Sequence, residues 1–441
     1  MIRLPEKAAL LISQLESHGH EAFIVGGCVR DGLLGRAPND WDICTSASPE
    51  EMKRCFSNLR VIETGVKHGT LTVLAEGEPF EITTYRIDGE YSDSRHPDQV
   101  LFTSDLREDL SRRDFTINAM AWHPQTGLVD PFGGARDLKR GSIRCVGKPE
   151  KRFREDALRI MRAVRFAGQL GFRVDAETDR ALYQCCPLLD KIAAERMRME
   201  LDKLLCGAAA EKALRDYREI IAHFIPEIRP MFGLDQKNRH HLYTVWEHTV
   251  RAVSQIPGKP LLRLCAFFHD IGKPDSMTVD EDGCGHFYQH EILSEALAGQ
   301  AMKRLKYDND TQETVLAVIR SHSIVFRPDS KQARRLLGKL GEERLRLLIE
   351  LELADVKSQN PLYQEERVAN ISAFREKMEE VLAEDQCFSL RHLAINGKDL
   401  LCLGIPQGPE IGRILNVLLE QVVEETLPNE PDALKEAARK V

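Results

Sequence analysis

The sequence predicts an α+β protein with a small mixed sheet in its first third and helices through most of the remainder. Two observations lead to this. Residues 59–86 alternate apolar and polar side chains, as half-buried strands do. From Lys148 onward apolar residues recur every three or four positions, as in helices packed on one face. The length of 441 residues suits several domains, and we place them at 1–145, 146–220, 221–360 and 361–441.

The composition is that of a globular chain. A net charge of −8 argues against indiscriminate nucleic-acid binding, so an RNA partner would need a local basic surface. No stretch reaches the roughly 18 consecutive apolar residues of a membrane helix, so we expect no membrane partner. The eleven cysteines are scattered without CxxC pairs. They predict free thiols in a reducing, cytoplasmic location.

A glycine pair and two aspartates mark the first candidate site. They lie in IVGGCVRDGLLGRAPNDWDI, from Ile24 to Ile43. Gly26 and Gly27 follow an apolar strand, where the backbone turns and can approach a ligand closely. Asp40 and Asp42 are two residues apart, so on an extended strand both carboxylates face one side. Two such charges favour a cation between them, and hard oxygen ligands suit Mg²⁺.

Two further segments carry charge near this site. Glu81, in PFEITTYR, faces away from its apolar neighbours and is either a third carboxylate or an ordinary solvent-facing glutamate. Arg112 and Arg113 precede a predicted helix at 115–120. Guanidinium groups and a helix N-terminus both favour phosphate, although a solvated charge cluster is the alternative. Between them, residues 88–99 are polar and without periodicity, which predicts a loop.

A predicted helix after Lys148 places Glu155, Asp156 and Arg159 within one turn of each other, and Arg162 and Arg165 continue the row. The simple alternative is a surface ion pair between Glu155 and Arg159. Such a pair is worth only a few tenths of a kcal/mol. Arg196 and Glu200 have the same i,i+4 spacing and the same alternative.

Histidines concentrate between residues 240 and 322. The run HDIGKP places His269 and Asp270 after an apolar helix, with His248 before it and Asp355 at the end of a later helix. Imidazole and carboxylate ligands together hold divalent metals such as Mg, Mn, Ni or Co. This order of residues resembles metal-dependent phosphohydrolases of the HD superfamily. His290 and His322 are additional ligand candidates, and packed helical histidines are the alternative.

The order of the motifs along the chain resembles a known family. GGCVRDGLLG with DWD, ETGVKHGTLTV, FEITTYR, RRDFTINAM, DPFGGARDL, REDALRIMRAVRF and ERMRMELDKLL follow one another as in class II tRNA nucleotidyltransferases. These belong to the tRNA nucleotidyltransferase and poly(A) polymerase family. The resemblance implies a polymerase-beta-like head, an extended all-α neck, an HD body and a tRNA-binding tail. It also implies addition of CCA to the 3′ end of tRNA from CTP and ATP.

The resemblance also implies roles for individual residues. Asp40 and Asp42 would hold two Mg²⁺ ions, and Glu81 would support them. The incoming triphosphate and sugar would be bound by Gly27, Arg30, Arg113, Arg162 and Arg165.

Asp156 and Arg159 are the candidate base readers. Cytosine and adenine both present an amine donor beside a ring nitrogen acceptor, and uracil and guanine present the reverse. A carboxylate only accepts and a guanidinium only donates, so this pair matches C and A. Each bidentate match is worth about 1–3 kcal/mol. The full-length loop at 88–99 resembles enzymes that add all of CCA; a poly(A) polymerase or an A-adding relative is the alternative.

Overall fold

The computed structural model describes residues 2–89, 100–384 and 386–441. The chain forms two compact units, Met1–Phe224 and Ile225–Val441, which are described separately below. The loop predicted at residues 88–99 lies outside the described residues, apart from its first two positions. The division into four domains proposed above remains a prediction.

The first unit contains a seven-stranded sheet in the order β3-β4-β5-β2-β1-β8-β9. Only β2 and β5 pair in parallel within it, so the predicted mixed sheet is confirmed. Short pairs β6–β7 and β10–β11 lie outside this sheet. The strands are β1 (Ala22–Val25), β2 (Ile43–Thr45), β3 (Arg60–Gly65), β4 (Thr70–Ala75), β5 (Glu78–Thr84), β6 (Arg86–Asp88), β7 (Val100–Phe102), β8 (Ala121–His123), β9 (Gly127–Val129), β10 (Ser142–Ile143) and β11 (Arg173–Val174).

Alternation along β5 places Phe80 and Ile82 in the core and leaves Glu81 exposed on the other face. β2 lies beside β5, with Ile43 opposite Ile82. One residue upstream, the same register brings Asp42 beside Glu81. The strand pattern therefore positions two of the predicted carboxylates on one face.

Helices surround the sheet and continue beyond it. They are α1 (Glu6–Ser17), α2 (Gly27–Leu33), α3 (Pro49–Cys55), α4 (Leu106–Ser111), α5 (Gly134–Arg140), α6 (Pro149–Glu155), α7 (Leu158–Leu170), α8 (Ala176–Cys185), α9 (Ala194–Leu205), α10 (Ala210–Asp216) and α11 (Arg218–Phe224). The short strand β11 lies among these helices, so the segment predicted as all-α contains one strand.

Three local predictions were wrong. Asp40 and Asp42 precede β2 instead of lying in it. The segment 115–120 forms only a 3₁₀ turn at Thr116–Asn118, because Phe115 pairs with Cys145 and the backbone N–H of Thr116 donates to Arg144. Arg112 and Arg113 accordingly follow the end of α4, where a helix dipole favours cations, and do not precede a helix N-terminus.

The predicted continuous helix after Lys148 is also interrupted, between α6 and α7. Asp156 has φ −140° and ψ 103°, outside the helical region. Its carboxylate accepts the backbone N–H of Leu158, a local bond that competes with the helix. Asp156 therefore lies in extended backbone before α7, whereas Arg159, three residues later, lies within the helix.

The second unit is mainly helical, as predicted, with one antiparallel hairpin, β12 (Met277–Val279) and β13 (Gly285–Phe287). Helix α17 changes direction at Gly341, whose φ is 77°. Its helices are α12 (Val245–Gln255), α13 (Pro260–Phe268), α14 (Lys273–Ser276), α15 (His290–Arg304), α16 (Asn309–Ser321), α17 (Ser330–Lys357), α18 (Glu365–Ala383), α19 (Gly397–Cys402), α20 (Pro409–Val423) and α21 (Pro431–Ala438).

Two chain-wide properties complete the fold. Over the described ranges, no helix is both long and apolar enough to span a membrane. All eleven cysteines are free thiols, and eight of them are buried.

Candidate active site

The first candidate site begins at the diglycine turn between β1 and α2. Gly26 has φ +85°, and a Cβ there would lie 2.9 Å from Nη1 of Arg113. Only glycine satisfies both constraints without displacing that guanidinium. The backbone N–H of Gly26 donates to the carbonyl of Met120, which fixes the turn against β8. The turn therefore supplies space beside Arg113.

The three predicted carboxylates gather beside this turn. Asp42 lines one cavity with Asp40 and another with Glu81. Burial raises the pKa of Asp42, and the charges of Glu81 and Asp40 raise it further, while Arg113 opposes them. Carboxylates that repel one another in this way form a site that a divalent cation would stabilise. The residues present thus fit a magnesium site.

A cavity of about 450 Å³ extends from Asp42 to the candidate base readers. Gly27, Asp42, Asp156 and Arg159 all line it. Its six arginines are Arg30, Arg113, Arg159, Arg162, Arg165 and Arg196. Each of them contacts a carboxylate: respectively that of Asp31, Asp109, Glu155, Asp114, Glu200 and Asp156. We call this set the paired arginines.

Asp156 is held by Arg196 and not by Arg159. Nη2 of Arg196 lies 3.1 Å from Oδ2 of Asp156, and Nη1 lies 3.4 Å from Oδ1. Arg159 instead donates to Glu155 at 2.8 Å and to the carbonyl of Arg112 at 3.0 Å. The Glu155–Arg159 ion pair given as the simple alternative is therefore present. It does not remove Arg159 from the cavity wall.

Two ion pairs were missed from the sequence. Arg196 bonds Asp156 across 40 residues, and Glu200 bonds Arg165 across 35, in place of the local Arg196–Glu200 pair. The motif ERMRMELDKLL was the only signal for them.

Asp114 was also missed; its carboxylate accepts from Nε of Arg162 at 2.7 Å. Despite burial, that ion pair lowers the pKa of Asp114 to about 2.

The second unit brings the predicted histidines and aspartates into two adjoining clusters. In the first, Nε2 of His248 lies 2.7 Å from Oδ1 of Asp355, and Nε2 of His269 lies 3.2 Å from Oδ2 of Asp270. In the second, Oδ1 of Asp270 lies 3.5 Å from His290 and 3.7 Å from His322. Asp270 belongs to both, one oxygen facing each cluster.

All four imidazole rings present the same nitrogen to the clusters. Nδ1 of each faces a backbone carbonyl, on Ser358, Ala266, Phe287 and Ile319 for His248, His269, His290 and His322 respectively. Such contacts orient a ring and leave Nε2 as the metal-binding atom. Nε2 of His269 is buried and has no hydrogen-bond partner of normal geometry within the described part of the chain. These residues fit a divalent metal.

The clusters open into a cavity of about 430 Å³. Nζ of Lys273 lies 2.7 Å from Oδ2 of Asp270 at its inner end, and Arg367 also lines it. Neither cation was named among the predicted site residues, although Lys273 belongs to the HDIGKP motif. Two metal-compatible clusters beside two cations form a site suited to phosphate esters. That the second unit is an HD domain remains a prediction.

Family comparisons agree with this arrangement. The family model described as the poly A polymerase head domain matches residues 22–144. A probable RNA and SrmB-binding site of polymerase A matches residues 171–232, and a putative tRNA nucleotidyltransferase domain 2 matches residues 287–438. The fold and the site thus define a nucleotidyltransferase with a poly(A) polymerase head.

Individual relatives specify the family further. A CCA-adding enzyme from Leuconostoc mesenteroides is 35% identical over 99% of this chain and 97% of its own. One from Geobacillus kaustophilus is 51% identical over 47% of this chain and 51% of its own. The crystal structure of the Bacillus stearothermophilus CCA-adding enzyme in complex with CTP superposes with a TM-score of 0.75 at 32% identity, over 99% of this chain and 96% of the other. The chain belongs to the CCA-adding enzyme family.

Proposed function

We propose that this protein adds C, C and A to the 3′ end of tRNA, using CTP and ATP and no nucleic-acid template. One observation carries the proposal: Asp42 and the base-reading residues Asp156 and Arg159 line one cavity. A site that both transfers a nucleotide and selects it needs these groups together. Family membership and the CTP complex of the Bacillus stearothermophilus relative support the same reaction.

At the carboxylates, Asp40, Asp42 and Glu81 would hold Mg²⁺. Bound there, such ions would supply the positive charge that favours an ionised RNA 3′-hydroxyl and a departing pyrophosphate. The chain itself positions the reactants: Gly27 leaves room for the phosphates, and Arg30 and Arg113 face the cavity. Asp42 is kept in place by its backbone carbonyl, which accepts the N–H of Val25. This anchoring leaves its carboxylate free for the reaction centre.

Base selection rests on Asp156 and Arg159. Each oxygen of Asp156 has two lone pairs, so it can accept from a base amine while retaining Arg196. Arg159 supplies donors to the acceptor edge of C or A. A wrong base presents a carbonyl oxygen to Asp156 and a ring N–H to Arg159, so acceptor faces acceptor and donor faces donor in a confined site, which raises discrimination to roughly 10⁴. The protein therefore acts as the template for both C and A.

The decisive experiment supplies purified protein with tRNA lacking its 3′ CCA, Mg²⁺ and each labelled nucleoside triphosphate singly and together. We expect growth by three nucleotides with CTP and ATP and none with UTP or GTP. Long products with ATP alone would identify a poly(A) polymerase instead, and addition of a single A would identify an A-adding enzyme. Equal use of UTP would contradict the base-reading role of Asp156 and Arg159.

A matched pair of variants on β5 tests the carboxylates. Glu81→Gln removes a charge beside Asp42, whereas Glu78→Gln removes one that pairs with Lys7 on the surface. We expect the first to lower kcat at least tenfold and to raise the Mg²⁺ concentration needed for half-maximal rate. The second should leave both unchanged. Equal behaviour of the two variants would remove Glu81 from the site.

The clusters of the second unit favour a second activity, and we propose that this unit is a metal-dependent phosphohydrolase acting on phosphorylated RNA ends. A divalent ion bound there would act as a Lewis acid toward water. Asp270 contacts both clusters, and Lys273 and Arg367 present positive charge to a phosphate group. The test is release of phosphate from a 3′-phosphorylated RNA oligonucleotide with Mg²⁺, Mn²⁺, Ni²⁺ or Co²⁺. No release with any of the four would overturn the assignment.

A protein that completes tRNA acts where tRNA is made and used, so we place it in the cytoplasm. The eleven free thiols are compatible with the reducing conditions there.

A further inference from the structure

The hairpin of β12 and β13 brings together three residues of different chemistry. Asp280 follows β12, Cys284 precedes β13, and His286 lies within β13. One ligand atom of each lies within 4.8 Å of the other two. Nε2 of His286 is 2.7 Å from Oδ2 of Asp280. No role in either proposed activity uses these three side chains.

The hairpin backbone fixes this group. The N–H of Cys284 donates to Oδ1 of Asp280 at 2.8 Å, and the N–H of Gly285 donates to the carbonyl of Lys237 at 2.8 Å. A Cβ on Gly285 would lie 2.2 Å from the carbonyl of Gln236, so the hairpin packs tightly on that segment. The three side chains are therefore held near one another before any ligand binds.

We propose that Asp280, Cys284 and His286 bind a transition-metal ion of the zinc class. Thiolate and imidazole ligands select such ions over Mg²⁺ and Ca²⁺, which prefer oxygen alone. Bond lengths of about 2.0–2.3 Å place tetrahedral ligand atoms roughly 3.3–3.8 Å apart, so the group needs only a small adjustment. The ion would replace the proton that His286 and Asp280 share, and water would complete its coordination.

The position of the three residues indicates which side chains a bound ion would affect. The ring of His286 stacks on that of Tyr288 at a centroid distance of 5.4 Å, and both rings line the cavity beside Asp270 and Lys273. Tyr288 is 71% exposed. An ion on His286 would hold this stacked pair in one orientation at the cavity mouth. The inference concerns binding alone and does not depend on either proposed activity.

Cobalt substitution tests the proposal, because a cobalt–thiolate bond gives a charge-transfer absorption that nitrogen and oxygen ligands do not. The two neighbouring clusters are formed by histidines and aspartates and include no cysteine. The protein is first freed of metal by a chelator. We then expect this band to correspond to one bound equivalent of Co²⁺, in addition to the Co²⁺ that the two clusters bind. Added Zn²⁺ should displace the Co²⁺ and abolish the band.

Variants decide the assignment. Cys284→Ser and His286→Gln should lose the band or weaken the apparent affinity at least tenfold, while Cys402→Ser, which removes the exposed cysteine, should retain it. His269→Asn should also retain it, since that residue belongs to the first of the two neighbouring clusters. Circular dichroism confirms that each variant is folded. Absence of the band from the unaltered protein, or its persistence in folded Cys284→Ser, would overturn the proposal and leave a simple His286–Asp280 ion pair.

Discussion

At the scale of single residues, Arg196 determines how Asp156 is presented to a base. It provides two donors to that carboxylate from α9, a different helix. The backbone N–H of Leu158 also donates to Oδ1 of Asp156, so without Arg196 the carboxylate would keep that contact and lose the one that directs Oδ2. Arg196 is thus a positioning residue for selection, and the surface pair with Glu200 that was the simple alternative for its i,i+4 spacing is replaced by these contacts.

Arg196→Ala is therefore expected to relax base choice before it abolishes transfer. Loss of a directed bidentate contact is worth about 1–3 kcal/mol, or roughly 10–100-fold in the CTP-to-UTP ratio of kcat/KM. Single-nucleotide incorporation measures it. Arg180→Ala, on the exposed face of α8, is the matched control. If the ratio stays unchanged while kcat falls, Arg196 has only a structural role.

Asp114 provides a pH-dependent contribution to stability. Its ion pair with Arg162 lowers its pKa to about 2 against the cost of burial, whereas the unfolded value is about 3.9. A depressed pKa means that the contribution is complete above about pH 4 and is lost as the pH falls toward 2. The difference corresponds to about 2–3 kcal/mol.

The corresponding prediction is that Asp114→Asn lowers the stability of the first unit at pH 7 and that the loss shrinks between about pH 4 and pH 2. Calorimetric unfolding over this range measures the effect. A loss that is independent of pH would show that packing, and not the charge of Asp114, is responsible.

At the scale of elements, α7 presents Arg159, Arg162 and Arg165 to the cavity, and its packing against α9 sets their position. The contact is close at Gly168 and Gly207: a Cβ on Gly207 would lie 2.4 Å from the carbonyl oxygen of Gly168. Because that neighbour is backbone, it cannot rotate away.

Gly207→Ala should therefore destabilise the first unit by about 1–3 kcal/mol and reduce transferase activity through displacement of α7. Gly412 lies inside α20, and a Cβ added there would meet nothing within 4 Å. Gly412→Ala should stabilise the second unit by about 0.5–1 kcal/mol. The unfolding midpoints of the two variants measure these opposite changes in stability. An unchanged midpoint for Gly207→Ala would contradict the packing argument.

The elements also show where sequence reasoning succeeds. Alternation in β4 and β5 and the apolar helix α13 follow local periodicity, and the sequence predicted them. The prediction for segment 115–120 failed because its conformation depends on pairing with Cys145, a residue distant in sequence. The interruption at Asp156 was missed because a single side chain overrides a helical pattern. Partners such as Arg196 are set by tertiary folding, which periodicity does not encode.

At the scale of the whole molecule, each compact unit contains its own candidate site. The carboxylates around Asp42 lie in the first unit and the clusters around Asp270 in the second. Neither set shares a residue with the other, so the two proposed activities should be separable by single substitutions.

Asp42→Asn should reduce CCA addition by roughly 10³-fold or more and leave phosphate release unchanged. His269→Asn should reduce phosphate release and leave CCA addition unchanged. Both activities are measured on the same preparations, CCA addition on shortened tRNA and phosphate release on the 3′-phosphorylated oligonucleotide. Parallel loss in either variant would indicate a common site or a general folding defect, which calorimetry distinguishes.

The paired arginines have a consequence for product departure. After transfer, pyrophosphate must leave a cavity lined by six guanidinium groups. Bare buried cations would retain it, because its exit would expose uncompensated charge. Here each arginine has a carboxylate within reach, such as Asp114 for Arg162 and Glu200 for Arg165. Each can return to its partner as the anion leaves, so the same pairs that neutralise the resting enzyme also favour rapid turnover.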